Sequence, residues 1–148
     1  MDKILFLCSG NTCRSPFAEV YFNNIAKNNN INAVANSAGI FANIDDTPGE
    51  NAKIAAKDFG LDIEMSIHRA KILTPEMLGE YDYIITMGSS HLDIIEKAIQ
   101  NGVYTKPEQR RQVLAGGIPD PYGSSILDYK NCYALISNAV NAFIEANY

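Results

Sequence analysis

The chain is poor in thiols, in basic residues and in long apolar runs, and it has no tryptophan at all. Three cysteines, an odd number, fit a reducing compartment in which thiols stay free for chemistry. Seventeen acidic against twelve basic residues give a net charge of −5, which argues against a nucleic-acid surface, because such surfaces concentrate Lys and Arg to displace counterions. The first apolar run, Ile4–Leu7, is shorter than a signal-peptide core, and no stretch approaches the roughly 18 apolar residues of a membrane span. These absences describe a soluble, cytoplasmic chain with no nucleic-acid or membrane partner, monomeric by default. Any anion it handles has to be gripped locally. At 148 residues it is long enough to form one domain, residues 1–148, burying roughly 70% of its unfolded surface without a metal or disulfide staple.

What the chain does have is an alternation of strand and helix signals. Ile4–Leu7 is apolar throughout, as expected of a strand covered on both faces. Pro16 at a first helical position, with Phe17, Val20, Tyr21 and Ile25 along one face, predicts a helix that ends at Asn28–Asn30. Ala33–Ala38 reads as a weak second strand. Thr47-Pro48-Gly49-Glu50 has the form of a capping box, opening a helix whose stripe is Ala52, Ala55, Ala56 and Phe59 and which runs to Gly60. Thr74-Pro75 opens a short helix, and Tyr83–Met87 is a second central strand. Ser90-His91-Leu92-Asp93 starts a helix that buries Leu92, Ile95 and Ile99 and stops at Gly102. Gln100–Gln112 reads as a surface loop, Val113-Leu114 as a short last strand, and Ser125-Ile126-Leu127-Asp128 as the start of a long C-terminal helix. The alternation implies right-handed βαβ units and a parallel sheet, with ligands bound beyond the carboxyl ends of its strands.

At the end of the first strand stands Cys8-Ser9-Gly10-Asn11-Thr12-Cys13-Arg14-Ser15-Pro16. Five residues between Cys8 and Arg14 let successive backbone N–H groups curl round a tetrahedral anion, with a helix N-terminus aimed at the same spot. Gly10 and Asn11 both tolerate the left-handed backbone angles such a loop requires. Cysteine attacks as thiolate, and the N–H ring, the helix end and Arg14 all favour that form of Cys8. Ser15 can donate a further hydrogen bond to the sulfur, or serve simply as an N-cap. Arg14 offers a planar fork for two phosphoryl oxygens, so displacement at phosphorus could proceed without a metal or cofactor. Asp120, on a turn closed by Pro121, is the carboxylic acid best suited to protonate a leaving group and then to deprotonate water. Cys13 and Cys132, taken alone, are small core fillers.

Residues Cys8–Pro16 with Asp120-Pro121-Tyr122 closely resemble the low-molecular-weight protein tyrosine phosphatases, whose loop reads Cys-x-Gly-Asn-x-Cys-Arg-Ser-Pro. Ser37-Ala38-Gly39, His68-Arg69-Ala70 and the apolar strand ending at Met87 recur in family order, so the likeness spans the chain. The resemblance implies an α/β three-layer sandwich with a four-stranded parallel sheet flanked by helices, and a two-step hydrolysis through a phosphocysteine. It implies Cys8 as nucleophile, Arg14 as phosphate clamp and Asp120 as general acid, then base, with inorganic phosphate as product. It places Ser9, Gly10, Asn11, Thr12, Cys13 and Ser15 around the substrate, with Phe41 and Tyr122 as walls. It also makes Asn11 a strained residue held by Ser15, Ser37 and His68, and Cys13 a cysteine able to form a reversible disulfide with Cys8.

The chain departs from that pattern where an aromatic ring would stack. Asn43 stands where many tyrosine-specific members have tryptophan, and Gly123 replaces the second aromatic of their Asp-Pro-Tyr-Tyr turn. Thr12 takes the place of an isoleucine, as in the protein arginine phosphatase branch, which the chain also resembles in Ser-Ala-Gly-Ile-Phe-Ala and Asp-Pro-Tyr-Gly-Ser-Ser-Ile. A hydroxyl can hydrogen-bond a guanidinium that an aliphatic wall would repel, so the expected substrate is phosphoarginine on a protein, with phosphotyrosine close behind. Arsenate reduction on the same scaffold would need a redox pair near the third strand, yet no cysteine lies between Cys13 and Cys132. A phosphocysteine carrier would have no need of Asp120, and a silent phosphopeptide-binding module no need of Cys8.

Overall fold

In the computed structural model, which describes residues Met1–Tyr148, the first apolar run lies in strand β1, Asp2–Cys8. Strand β1 pairs in parallel with β2 (Ala33–Gly39) on one side and β3 (Tyr83–Thr86) on the other, and β4 (Arg110–Val113) pairs in parallel with β3. The order β2-β1-β3-β4 makes the four-stranded parallel sheet that the sequence predicts. Side chains of a strand alternate between faces, which explains the unbroken apolar run. Ile4, Phe6 and Cys8 point into a core shared with helices α1 (Arg14–Asn28), α2 (Glu50–Lys57) and α6 (Ile126–Asn147). Leu5 and Leu7 point into a smaller one under α4 (Pro75–Leu78) and α5 (Ser89–Gln100). Strand β1 is therefore central in both directions, and Cys8 at its carboxyl end is fixed from both faces.

Helix α1 begins at Arg14, two residues before the predicted start, with Cys13 as its N-cap. Pro16 thus occupies the third helical position, where its missing N–H costs nothing, because the first four N–H groups of a helix have no partner within it. The buried face is Phe17, Ala18, Phe22 and Ala26, while Val20, Tyr21 and Ile25 are only partly buried. The predicted stripe is rotated because α1 packs on β1 and β2 as well as on α6, and alanine lets it approach the sheet closely. Phe17 stacks on Tyr133 of α6 with ring centroids 4.0 Å apart, tying the two helices together.

The predicted capping box does not form. Helix α2 starts only at Glu50, with Gly49 extended as N-cap and no side-chain capping bond. Pro48 is buried, and the residue before a proline is held out of the helical region, so the chain stays extended past Thr47. Ala52, Ala55 and Ala56 are buried as expected, but Phe59 lies beyond the helix end, packing edge-on against Phe17. A short helix α3, Asp62–Ile67, follows; its six residues carry one buried anchor, Met65, too little for a periodic signal. In α5 the buried residues are His91 and Ile95, with Leu92 and Ile99 only partly covered.

The loop predicted over Gln100–Gln112 gives way to β4 at Arg110, and Leu114, predicted in the last strand, opens a 3-10 turn, Leu114–Gly116. Strand β4 is an edge strand with charged residues, which hides it from a search for apolar runs. Arg111 holds Glu96 of α5 at 2.6 Å, so its charge is part of the packing. Helix α6 starts as predicted, with Ser125 accepting a hydrogen bond from the Asp128 N–H. Cys132 is buried in it, among the core residues. No helix is long and apolar enough to cross a membrane.

Candidate active site

The loop between β1 and α1 is shaped by one residue, Asn11. Its φ is +55°, a left-handed conformation that asparagine tolerates better than most residues, whereas Gly10 does not adopt a positive φ despite the expectation. Every polar atom of the Asn11 side chain has a partner. Nδ2 donates to Ser15 Oγ at 2.8 Å and to Ser37 Oγ at 2.9 Å, and Oδ1 accepts from the Lys71 N–H at 2.9 Å. His68 Nε2 faces the Asn11 carbonyl at 2.9 Å and Oδ1 at 3.1 Å; both are acceptors, so this nitrogen carries the ring proton. The Ser37 hydroxyl in turn donates a hydrogen bond to Glu19 Oε1 at 2.7 Å. Burial holds His68 below the ordinary histidine range, so the ring is neutral near pH 7. Gly39 is needed for close approach, since a Cβ there would stand 2.6 Å from the Ser9 carbonyl oxygen and 2.9 Å from the Asn11 nitrogen.

This frame directs two donors at the Cys8 sulfur. Ser15 Oγ already accepts from Asn11, which leaves its proton for Cys8 Sγ at 2.9 Å, and the Asn11 N–H points at the same sulfur from 3.3 Å. Arg14 is buried, with one guanidinium nitrogen bonded to the Ile118 carbonyl at 2.9 Å and another 3.6 Å from Asp120 Oδ2. The β1–α1 loop and the turn at Asp120 come together because both leave the sheet at its carboxyl edge. Asp120 is half-exposed, and its Oδ1 accepts from the Tyr122 N–H at 3.0 Å, which sets the orientation of the carboxylate.

A cleft of about 230 Å³ opens over Cys8, lined also by Gly10, Asn11, Thr12, Cys13, Arg14, Phe41, Asn43, Asp46, Asp120 and Tyr122. The structure therefore brings the predicted residues together, with two exceptions. Ser15 lies beneath the loop, and Ser9 faces away from the cleft toward His91. The Cys13 thiol meets the Tyr133 hydroxyl at 3.7 Å, and a hydrogen bond with Cys132, followed by burial, pushes it well above the ordinary thiol range. All three cysteines are free. Sequence reasoning overlooked Glu19, Asp46, Lys71, His91 and Tyr133, whose hydroxyl donates to the Cys13 carbonyl at 2.9 Å. A larger groove of about 860 Å³ lies behind His68, between α1, α3 and residues 68–72, and is lined by no cysteine, serine or threonine.

Comparison with known proteins agrees with this geometry. The chain is 36% identical over 133 residues to the protein-arginine-phosphatase of Bacillus subtilis, covering 86% of this chain and 84% of that one. It is equally 36% identical over 137 residues to the low molecular weight protein-tyrosine-phosphatase PtpB of Staphylococcus aureus, covering 88% of each. Among solved structures, a Cys-to-Ser mutant of the YwlE arginine phosphatase with a phosphorylated active-site serine superimposes with a TM-score of 0.81 at 28% identity, covering 97% of this chain and 94% of that one. The family model for low molecular weight phosphotyrosine protein phosphatases matches residues 3–147, so the chain belongs to that family and, with it, to the protein phosphatases.

Proposed function

We propose that the chain hydrolyses phosphorylated side chains of cytoplasmic proteins in two steps through a phosphocysteine, with phosphoarginine as the preferred substrate. The observation that carries the mechanism is the convergence on one cleft of a sulfur receiving two hydrogen bonds, a buried guanidinium and a facing carboxylate. In the first step the Cys8 thiolate attacks phosphorus, the bond from phosphorus to the leaving nitrogen or oxygen breaks, and Asp120 gives its proton to the departing group. The loop N–H groups and Arg14 carry the charge of the equatorial oxygens, and Arg14 turns to them from its long contact with Asp120. In the second step Asp120 takes a proton from water, the hydroxyl attacks phosphorus, and the phosphorus–sulfur bond breaks to return the thiolate and inorganic phosphate. The phosphoserine trapped in the YwlE mutant supports a covalent intermediate at the matching position.

The preference for phosphoarginine rests on the lining. Thr12 offers an oxygen to a guanidinium N–H, and Asp46 and Asp120 supply negative charge beside it. Phe41 and Tyr122 remain as aromatic surfaces, so phosphotyrosine is the second substrate. The experiment is phosphate release from p-nitrophenyl phosphate in chelator, followed by a side-by-side assay on phosphoarginine and phosphotyrosine proteins. Turnover that survives in Cys8→Ser would sink the mechanism; equal or better turnover of phosphotyrosine protein would retract the substrate preference.

A further inference from the structure

The Asn11 network grips the anion loop from the β2 side. On the β3 side one polar side-chain contact answers it, between Ser9 Oγ and His91 Nε2 at 2.9 Å. His91 lies in the first turn of α5, is 5% exposed, and has no part in the chemistry described above. Its other ring nitrogen, Nδ1, is buried without any hydrogen-bond partner. It lies against the backbone of Gly88, where a Cβ would be 3.5 Å away. A buried polar atom left unpaired is costly, so a histidine is a poor means of merely filling this space.

The unpaired atom also fixes the proton. With the proton on Nδ1, a buried N–H would be stranded without an acceptor. With the proton on Nε2, the ring donates to Ser9 and only a lone pair is stranded, which is the less costly arrangement. Burial, and after it the charge of Arg14, hold His91 below the ordinary histidine range, while Asp120 acts in the opposite direction. The ring near pH 7 is therefore neutral and has one N–H to give.

We propose that His91 is a positioning residue for anion binding: by donating Nε2–H to Ser9 Oγ it holds the first half of the phosphate loop against the β3–α5 junction, so that the loop N–H groups converge on the phosphoryl oxygens. The inference rests on the reading of this loop as a phosphate cradle. The loop meets a phosphoryl group in the ground state and the transition state alike, so slackening it raises KM and leaves kcat little changed.

The test combines calorimetric titration with inorganic phosphate and kinetics on p-nitrophenyl phosphate, using the full chain and the variants His91→Leu, His91→Gln, Ser9→Ala and the double variant Ser9→Ala/His91→Leu. His91→Leu should weaken phosphate binding and raise KM about tenfold, the scale of one buried hydrogen bond, with kcat within about threefold. Glutamine, whose amide nitrogen reaches about as far as Nε2, should recover most of the loss. Ser9→Ala should lose as much as His91→Leu, and the double variant no more than either, since both remove the same bond. Phosphate binding as tight as wild type in His91→Leu would overturn the inference, and so would losses that add in the double variant, which mark independent packing roles. Should His91→Leu not fold, unchanged phosphate affinity in Ser9→Ala is enough to overturn it. A wild-type chain that binds no phosphate at all would instead bring down the cradle reading itself, and this inference with it.

Discussion

The two sides of the cleft are built in opposite ways. On the phosphate side Cys8, Asn11, Arg14 and Ser15 are buried, and short hydrogen bonds hold each of them in place. On the rim Phe41 is 69% and Tyr122 83% exposed, and Asn43 and Asp46 are also open to solvent. A network with every member satisfied tolerates little change, whereas exposed side chains can be exchanged at small cost. The chemistry is thus kept rigid, while the choice of side chain presented to it is left to adaptable surface.

The contrast can be broken most severely at the sulfur. Cys8→Ser should lower kcat on p-nitrophenyl phosphate by on the order of 10⁴-fold or more, while a urea melt stays near that of the wild type. Next comes Asp120→Asn, which keeps an acceptor for the Tyr122 N–H but has no proton to give. In kcat/KM, which reports the steps through formation of the phosphocysteine, it should cost roughly 10²- to 10⁴-fold on substrates with poor leaving groups and much less on p-nitrophenyl phosphate, so the slope of log kcat/KM against leaving-group pKa steepens. Equal loss on every substrate would rule out the acid role.

Asn11→Ala should destabilise the fold by roughly 2–4 kcal/mol in urea, because a strained backbone loses its tolerant side chain and Ser15, Ser37 and the Lys71 N–H lose a partner, while His68 keeps the Asn11 carbonyl. Tyr122→Ala on the rim should stay within about 0.5 kcal/mol, which is the same contrast expressed as stability. Thr12→Ile should move the ratio of kcat/KM for phosphoarginine over phosphotyrosine protein about tenfold toward tyrosine, and an unmoved ratio would withdraw the part given to Thr12. The smallest effect is that of pH. His68 and His91 are both held below the ordinary value of 6.5, so the unfolded chain binds their protons first. Their contribution is complete above that value and lost as pH falls through the lowered folded values. Urea midpoints measured from pH 8 downward should therefore fall below about pH 6.5, and a flat profile would contradict the burial of the two rings.

The nucleophile loop was legible in the sequence because all its signals are local: an apolar strand, Cys8, Arg14 and Pro16 within one turn of chain. Asp120 was legible through its turn, and its meeting with Arg14 through the direction of parallel strands. Its supports were harder to see, since Lys71 contributes only a backbone N–H and Gly39 only the absence of a Cβ, and neither leaves a pattern in a sequence. His91 reads correctly as part of a helix start, but its contact with Ser9, 82 positions away, leaves no local signal. Helix α3 leaves no signal, and the last strand shows only its final residue, Val113, for a related reason: each is held by contacts with other elements and too short to show its own period.

Asn11 binds residues that lie 4, 26, 57 and 60 positions from it along the chain. No short segment can assemble that arrangement, so the cradle comes into being only after β1, β2 and residues 68–71 have docked. Recovery of turnover in a refolding experiment therefore reports that these elements have docked. Phosphate held there would be a ligand of the folded chain alone, worth about 2.7 kcal/mol at a concentration one hundred times its dissociation constant. A phosphate ion held in the cradle would then stabilise the fold as well as occupy the site.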